Sequence, residues 1–375
     1  MVGTRPEAIK MGMVIRALMA RPWAEVCVIT TGQHGPVVDE TLALFGVRAT
    51  HSAGPPGALR QAPPRTCDGL PGLTAGLLTG LAGRFAATRP DLVLVQGDTT
   101  SALAGAMAAY LAQIKVAHVE AGLRSYGPLP FPEEANRRLI APLADLHLAP
   151  TPEARDNLLA ERTPPARVVV TGNTVIDALM HVAAGMPEAA GTGRPLVVVT
   201  AHRRESWGEP MRRIARVVAD LAGARPELDL LVATHLNPRV QAVFHEAVRD
   251  LPNVVCAPPL PYPEFVAVLG RAALVITDSG GVQEEAACLR LPLLVMRETT
   301  ERPEVLDSPW VHLVGTDEEL ILKTATAVLD EVEAPRVRLP RPCVFGDGKA
   351  AERIAAACGS LFGLNAPMGD FHPPG

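Results

Sequence analysis

The sequence predicts an α/β protein built from two doubly wound parallel-sheet domains. Short apolar, β-branched runs alternate with longer helical patterns from end to end, the signature of parallel strands covered by helices. The length, 375 residues, is near twice the usual domain size of roughly 100–200 residues. The rhythm also breaks midway, at "AAGMPEAAGTGRP", where Gly and Pro interrupt the pattern.

Taken in order, "EVCVIT", "DLVLVQ", "KVAHVE" and "DLHLAP" read as strands of the first half. "RPLVVVTA", "LDLLVAT", "NVVCAP", "AALVIT", "LPLLVM" and "VHLVG" read as strands of the second. Helical patterns such as "SALAGAMAAYLAQ", "MRRIARVVADLAGA" and "RVQAVFHEAVRD" lie between them. "VVVTGNTVIDALMHVAA" reads as a strand followed by a crossover helix, so the boundary is expected near 171–172. The expected division is 1–171, 172–363 and a flexible tail over 364–375, with a mobile Pro- and Gly-rich loop at 51–72.

Composition narrows the function. A net charge of -5 with 20% charged residues gives no basic footprint for nucleic acid. No leader-like N-terminus and no run of about 18 apolar residues is present, which predicts no membrane association and a cytoplasmic protein. Six cysteines at 27, 67, 256, 288, 343 and 358 lack metal or redox spacing and are expected as buried thiols. No cluster has metal-ligand spacing, and the one glycine run of dinucleotide shape, "GDGKAA", follows no clear strand, so neither a metal nor a cofactor is expected.

In open parallel sheets, ligands bind beyond the carboxyl ends of the strands, and the polar clusters of this chain fall there. After "ALVIT", Ser279, Gly280 and Gly281 open a helix whose N-terminus suits a phosphate, with Glu285 close enough to receive a ribose diol. Alone, this reads equally as an ordinary Ser N-cap. "AHRRES" puts His202, Arg203 and Arg204 after another strand, and "RETTERPE" puts Arg297 and Arg302 after a third. Three such loops in one half favour an anion site over three solvated turns.

The first half carries carboxylates instead. Asp98 in "QGDTT" and Glu120 in "HVEAGLRS" end consecutive strands, where neighbouring carboxylates can be tuned as acid and base. "FPEEANRR" starts a helix at Pro132 with Glu133 and Arg137 one turn apart and able to pair. Glu134 and Arg138 are expected as a cap or surface ion pair. Gln33 and His34 in "TGQH" are weak signals by themselves.

Together, "GTRPEAIK", "TGQH", "QGDTT", "HVEAGLRS", "FPEEANRR", "TGNTVIDAL", "TAHRRES", "DSGGVQEEA" and "RETTERPE" resemble the non-hydrolysing UDP-N-acetylglucosamine 2-epimerases, in order, from Gly3 to about Gly363. The resemblance implies two Rossmann-like domains facing a central cleft (GT-B-like), a last helix packing back on the first domain, a UDP-sugar substrate and a homodimer. It implies catalytic roles for Asp98, Glu120, Glu133 and His202. It implies substrate binding by Arg5, Lys10, Arg137, Ser279, Gly280, Gly281, Glu285 and Arg302, with Phe265 near the uracil.

Two departures stand out. In the family an apolar strand precedes "GTRPE", whereas here only Met1 and Val2 do; a start codon called too late is favoured over a lost strand. Bacterial members often bind a second UDP-N-acetylglucosamine as activator, through the segment after Gln-His and a loop near 51–72. Here Gly35 and Pro36 follow Gln33 and His34, and weakened activation or a different sugar is expected.

Overall fold

The computed structural model describes residues 1–52, 69–186, 193–201, 208–234, 237–331, 338 and 340–374. The chain forms two compact units: Met1–Ala178 with Phe345–Gly375, and Leu179–Val344. The fold is α/β, and the strands of both units pair in parallel.

In the first unit, α1 (Arg5–Met19) starts at a capping box. The Thr4 hydroxyl accepts from the Glu7 N–H, while the Glu7 carboxylate accepts from the N–H groups of Gly3 (2.7 Å) and Thr4 (2.6 Å). Next come β1 (Ile29–Thr30), α2 (Val37–Ala43), β2 (His51–Ser52), α3 (Leu70–Thr88) and β3 (Leu92–Gln96). α4 (Thr100–Leu111), β4 (Lys115–Val119), α5 (Glu133–Ile140), β5 (Leu146–Ala149), α6 (Pro152–Ala160), β6 (Val168–Val170) and α7 (Thr174–Ala184) follow. The sheet order is β3-β4-β5-β6, with β1 and β2 paired separately. Of "EVCVIT" only Ile29–Thr30 is strand, a correction to the longer strand expected there.

Met1 and Val2 lie between these two sheets. Val2 bridges Thr30, and the Met1 ammonium donates to the Leu94 carbonyl at 2.8 Å. Gly3 then passes so close to α4 that a Cβ there would fall 2.1 Å from Ser101 Oγ and 2.5 Å from Thr31 Oγ1. Behind the sheet, Leu77, Leu81, Phe85, Val93, Val95 and the alanines of α4 form the core. Small residues let α4 approach closely; Gly105 has Val95 and Met1 against it.

The second unit contains β7 (Leu196–Ala201), α8 (Glu209–Ala224), β8 (Asp229–Thr234), α9 (Pro238–Val248), β9 (Val254–Ala257) and α10 (Tyr262–Arg271). β10 (Ala272–Thr277), α11 (Gly280–Leu289), β11 (Leu293–Val295), β12 (Val311–Leu313) and α12 (Glu318–Glu331) complete it. Its sheet runs β12-β11-β10-β7-β8-β9. The chain builds outward from β7 to β9, then returns to lay β10 on the other side of β7, so the strand order reverses between β7 and β10. Such a switch point leaves a crevice at the carboxyl strand ends, and α11 starts there.

α13 (Ala350–Ser360) belongs to the first unit and packs against α1. Asp177 on α7 accepts from its first N–H groups, Ala350 (3.2 Å) and Ala351 (2.8 Å), and burial pushes this carboxyl up to about 6. The tail, expected to be flexible, is docked instead. Phe371 is buried, its N–H donates to the Val170 carbonyl at 2.7 Å, and the Arg353 guanidinium lies 5.5 Å from its ring centroid. One aromatic residue in a Pro-rich end gave no periodic signal for this contact. Of the 51–72 loop, 51–52 form β2 and α3 starts at Leu70, while 53–68 lie outside the described residues.

The cysteines also differ from expectation. Cys288 on α11 is disulfide-bonded to Cys343. Cys27 is exposed, Cys256 half-buried, and Cys358 buried, its thiol pushed up to about 12 by loss of solvent. Cys67 lies outside the described residues. The pair is 55 residues apart in sequence, too far for spacing rules to find. Closing a loop of that length stabilises by about 2–4 kcal/mol. A reductant is therefore expected to lower Tm, and Cys343→Ser to remove that sensitivity; equal Tm with and without reductant would contradict the cross-link.

Candidate active site

In the first unit the carboxyl ends of β3 and β4 bring Asp98 and Glu120 into a cluster of buried polar groups. Glu120 has a positive φ of 64°, a conformation that costs a residue with a Cβ about 1 kcal/mol or more. Lysine and amide donors hold its carboxylate. Lys10 Nζ lies 2.5 Å and Asn173 Nδ2 3.0 Å from Oε1, and Gln96 Nε2 donates to Oε2. Lys10 reaches it from the buried face of α1.

Asp98 is more open, its side chain 29% exposed, and pairs with Arg137 at 2.8 Å. Two neighbours fix its backbone: Asn136 Nδ2 donates to the Asp98 carbonyl (2.8 Å), and His118 Nε2 to that of Gly97 (2.7 Å). Gly97 has a φ of 67°. The Thr99 hydroxyl caps α4 through the Ala102 N–H and donates to Glu7 at 2.7 Å, tying this turn to the start of α1.

The pairing expected between Glu133 and Arg137 is taken instead by Glu134 and Asp98. Glu134 is buried, accepts from the N–H groups of Ser125 (3.0 Å) and Tyr126 (3.3 Å), and lies 3.4 Å from Arg137. It is thus no surface pair; Arg138 is the exposed one. Glu133 is half-buried at the first position of α5. The i,i+4 spacing was the legible signal, but the loop at 125–126 draws the next residue inward.

Gln33 and His34 serve the opening loop. Gln33 Oε1 accepts from the Ser101 hydroxyl at 2.6 Å, and His34 Nδ1 from the Arg5 N–H at 3.3 Å. Arg5 is half-buried at the first position of α1. Burial holds the imidazole of His118 down to about 4 and that of His147, its register partner on β5, to about 3.

In the second unit, Ser279 is the N-cap of α11, yet its hydroxyl does not cap the helix. Its N–H donates to Thr277 Oγ1 at 2.9 Å. Arg302 is buried against this helix start. Its Nε lies 2.5 Å from Glu284 and its Nη1 2.8 Å from Glu301, which also pairs with Arg297 at 2.5 Å. A Cβ on Gly280 would fall 2.5 Å from Arg302 Nη1, so glycine is needed for the guanidinium to sit there. Gly281 follows in the first turn of α11. Glu285, buried, accepts from the Tyr262 hydroxyl at 2.8 Å, and Phe265 is half-buried one turn further along α10.

A helix N-terminus with a buried arginine beside it suits a phosphate. His202, Arg203 and Arg204 lie outside the described residues. Gln96, Asn173, Glu134, Asn136, Tyr262, Glu284 and Glu301 are site residues not singled out from sequence. Gln96 and Asn173 stand inside the quoted motifs "QGDTT" and "TGNTVIDAL", but their direction needs the fold. Among the described residues, no group of three His, Cys, Asp or Glu is placed to hold a metal, and no helix is long and apolar enough to cross a membrane.

Comparison with known proteins identifies the family and the fold. The family profile described as UDP-N-acetylglucosamine 2-epimerase matches residues 16–359. The UDP-N-acetylglucosamine 2-epimerase of Escherichia coli (strain K12) is 40% identical over 373 residues, 95% of this chain and 96% of that protein. An S. aureus MnaA–UDP co-structure is 34% identical with a TM-score of 0.89, covering 99% of this chain and 98% of that one. The UDP-GlcNAc 2-epimerase of Neisseria meningitidis, a crystal structure bound to UDP-GlcNAc, is 34% identical with a TM-score of 0.84, covering 96% and 98%. The chain therefore belongs to the UDP-N-acetylglucosamine 2-epimerase family.

Proposed function

We propose that this protein interconverts UDP-N-acetylglucosamine and UDP-N-acetylmannosamine without hydrolysis, by eliminating UDP and adding it back. The observation that carries the reading is the pair of carboxylate–cation units, Asp98–Arg137 and Glu120–Lys10, at the ends of neighbouring strands. The hydrogen on C2 is not α to a carbonyl, so its removal needs a leaving group on C1. As base takes the C2 proton, its electron pair forms the C1=C2 bond, and the C1–O pair departs with UDP. The 2-acetamidoglucal left behind is protonated at C2 from the other face while UDP returns to C1.

Asp98, Glu120 and Glu133 supply the proton-transfer groups in this reading, Arg302 and α11 take the departing diphosphate, and the resemblance assigns Arg5 to substrate binding and His202 to catalysis. Glu285 takes the ribose and Phe265 the uracil side. The reading includes a cytoplasmic homodimer, as the resemblance implies. Weakened activation by a second substrate molecule is part of it as well, since Gly35 and Pro36 follow Gln33 and His34 in the segment that binds the activator in bacterial members; sigmoidal kinetics would contradict that part.

Incubation with UDP-N-acetylglucosamine in heavy water tests the activity. Deuterium at C2 of both epimers, with UDP still attached, is expected. Free N-acetylmannosamine with UDP would mean a hydrolysing enzyme, and an unexchanged C2 no epimerase.

The phosphate side carries its own prediction. Gly280→Ala drives a methyl into a guanidinium that Glu284 and Glu301 already pin, so Arg302 must leave its position. Losing one charge-assisted hydrogen bond of about 1.5–3 kcal/mol raises KM by roughly 10- to 100-fold. A KM within twofold of wild type would remove Arg302 from the diphosphate site.

A further inference from the structure

We propose that Asn173 is a positioning residue for the reaction, holding the Glu120 carboxylate in its working pose. The inference rests on the activity proposed above and extends it to a residue outside the acid–base set. Asn173 is 2% exposed, and each of its polar groups has a distinct task. Nδ2 donates to Glu120 Oε1 at 3.0 Å. Oδ1 accepts from the Val175 N–H at 3.1 Å, capping α7. Its backbone N–H donates to the Phe345 carbonyl at 2.6 Å. α7 carries the chain out of the first unit, and Phe345 is where the chain rejoins it. Asn173 therefore registers Glu120 against both crossings.

The need for such a residue follows from Glu120 itself. Its backbone is in the left-handed region, so its side chain departs from an uncommon direction. Lys10 pulls on the same oxygen as Asn173, and Gln96 on the other. Lys10 is a flexible point charge on a long stem, whereas a planar amide whose other end caps a helix has one orientation. Asn173 thus fixes where Oε1 lies, and Lys10 supplies the charge. A carboxylate displaced by about 1 Å from its reacting atom can cost on the order of 100-fold in rate.

Asn173→Ser and Asn173→Asp separate this role from helix capping. Serine and aspartate cap helices as well as asparagine does, so Asn173→Ser is expected to keep the wild-type Tm within a few degrees, while the like charge in Asn173→Asp lowers it. Serine cannot reach Glu120, and aspartate cannot donate to it and sets a like charge beside it. In each, kcat is expected to fall by roughly 10- to 100-fold, more in Asn173→Asp, with KM within about threefold. The side-chain carboxyl carbon of Glu120, assigned through Glu120→Gln, is followed by NMR without substrate and is expected to move in both variants.

This signal does not depend on turnover. If the wild-type protein does not exchange C2, the proposed activity fails, while an unmoved Glu120 signal overturns the positioning role by itself. Wild-type kcat in stably folded Asn173→Ser overturns it too.

Discussion

Asp98→Asn is expected to lower the rate of C2 exchange by about 10²- to 10⁴-fold, the usual contribution of a positioned acid or base. The substitution keeps size and shape and removes the proton-accepting oxygen. The turn survives, because its hydrogen bonds run through backbone: Asn136 holds the Asp98 carbonyl and His118 that of Gly97. Arg137 loses its 2.8 Å partner but keeps Glu134 at 3.4 Å, so no buried cation is left uncompensated. The loss should thus appear in kcat with the melting temperature and KM little changed. Exchange within threefold of wild type would move the proton chemistry to another residue.

Acid sensitivity well above the carboxylate range is the second large effect. His118 and His147 are buried and held at about 4 and about 3, below an unfolded value near 6.5. Between pH 6.5 and 4 the unfolded chain therefore binds protons that the folded chain does not. Stability contributed by the neutral imidazoles is fully present above pH 6.5 and is lost as pH falls through that window.

At 1.36 kcal/mol per pH unit, each histidine removes roughly 3 kcal/mol by pH 4. Asp177 acts in the opposite sense. Its folded value, near 6, lies above its unfolded one, so protonation below pH 6 relieves a cost of roughly 2–3 kcal/mol. Glu7, also pushed up by burial, acts with Asp177, so the net decline is smaller than the two histidines alone would give. Chemical denaturation from pH 7 to 4 is the check, with His147→Gln expected to flatten the decline. A midpoint constant from pH 7 to 4.5 would contradict the assignment.

Much of this architecture was legible from the sequence because parallel strands buried on both faces read as continuous apolar runs. "AALVIT" and "RPLVVVTA" contain β10 and β7. Their polar followers mark strand ends, which is why the positions of Asp98, Glu120 and Ser279 after their strands were legible. What stayed hidden depends on partners distant in sequence. Glu120 and Asn173 are 53 residues apart, and Val170 and Asp370 200. Glu134 looked like its neighbours on a charged helix; only the fold of the 125–126 loop turns it inward. "EVCVIT" has strand composition, yet only its last two residues find a partner strand.

Elimination and re-addition require the bond between C1 and the diphosphate oxygen to break and re-form. Positional isotope exchange tests it directly, with UDP-N-acetylglucosamine carrying ¹⁸O in the bridge between C1 and the β-phosphorus. The label is expected to scramble into the non-bridging β-phosphate oxygens in recovered substrate and product, at least as fast as epimers interconvert. Epimerisation with the label still wholly in the bridge would contradict it.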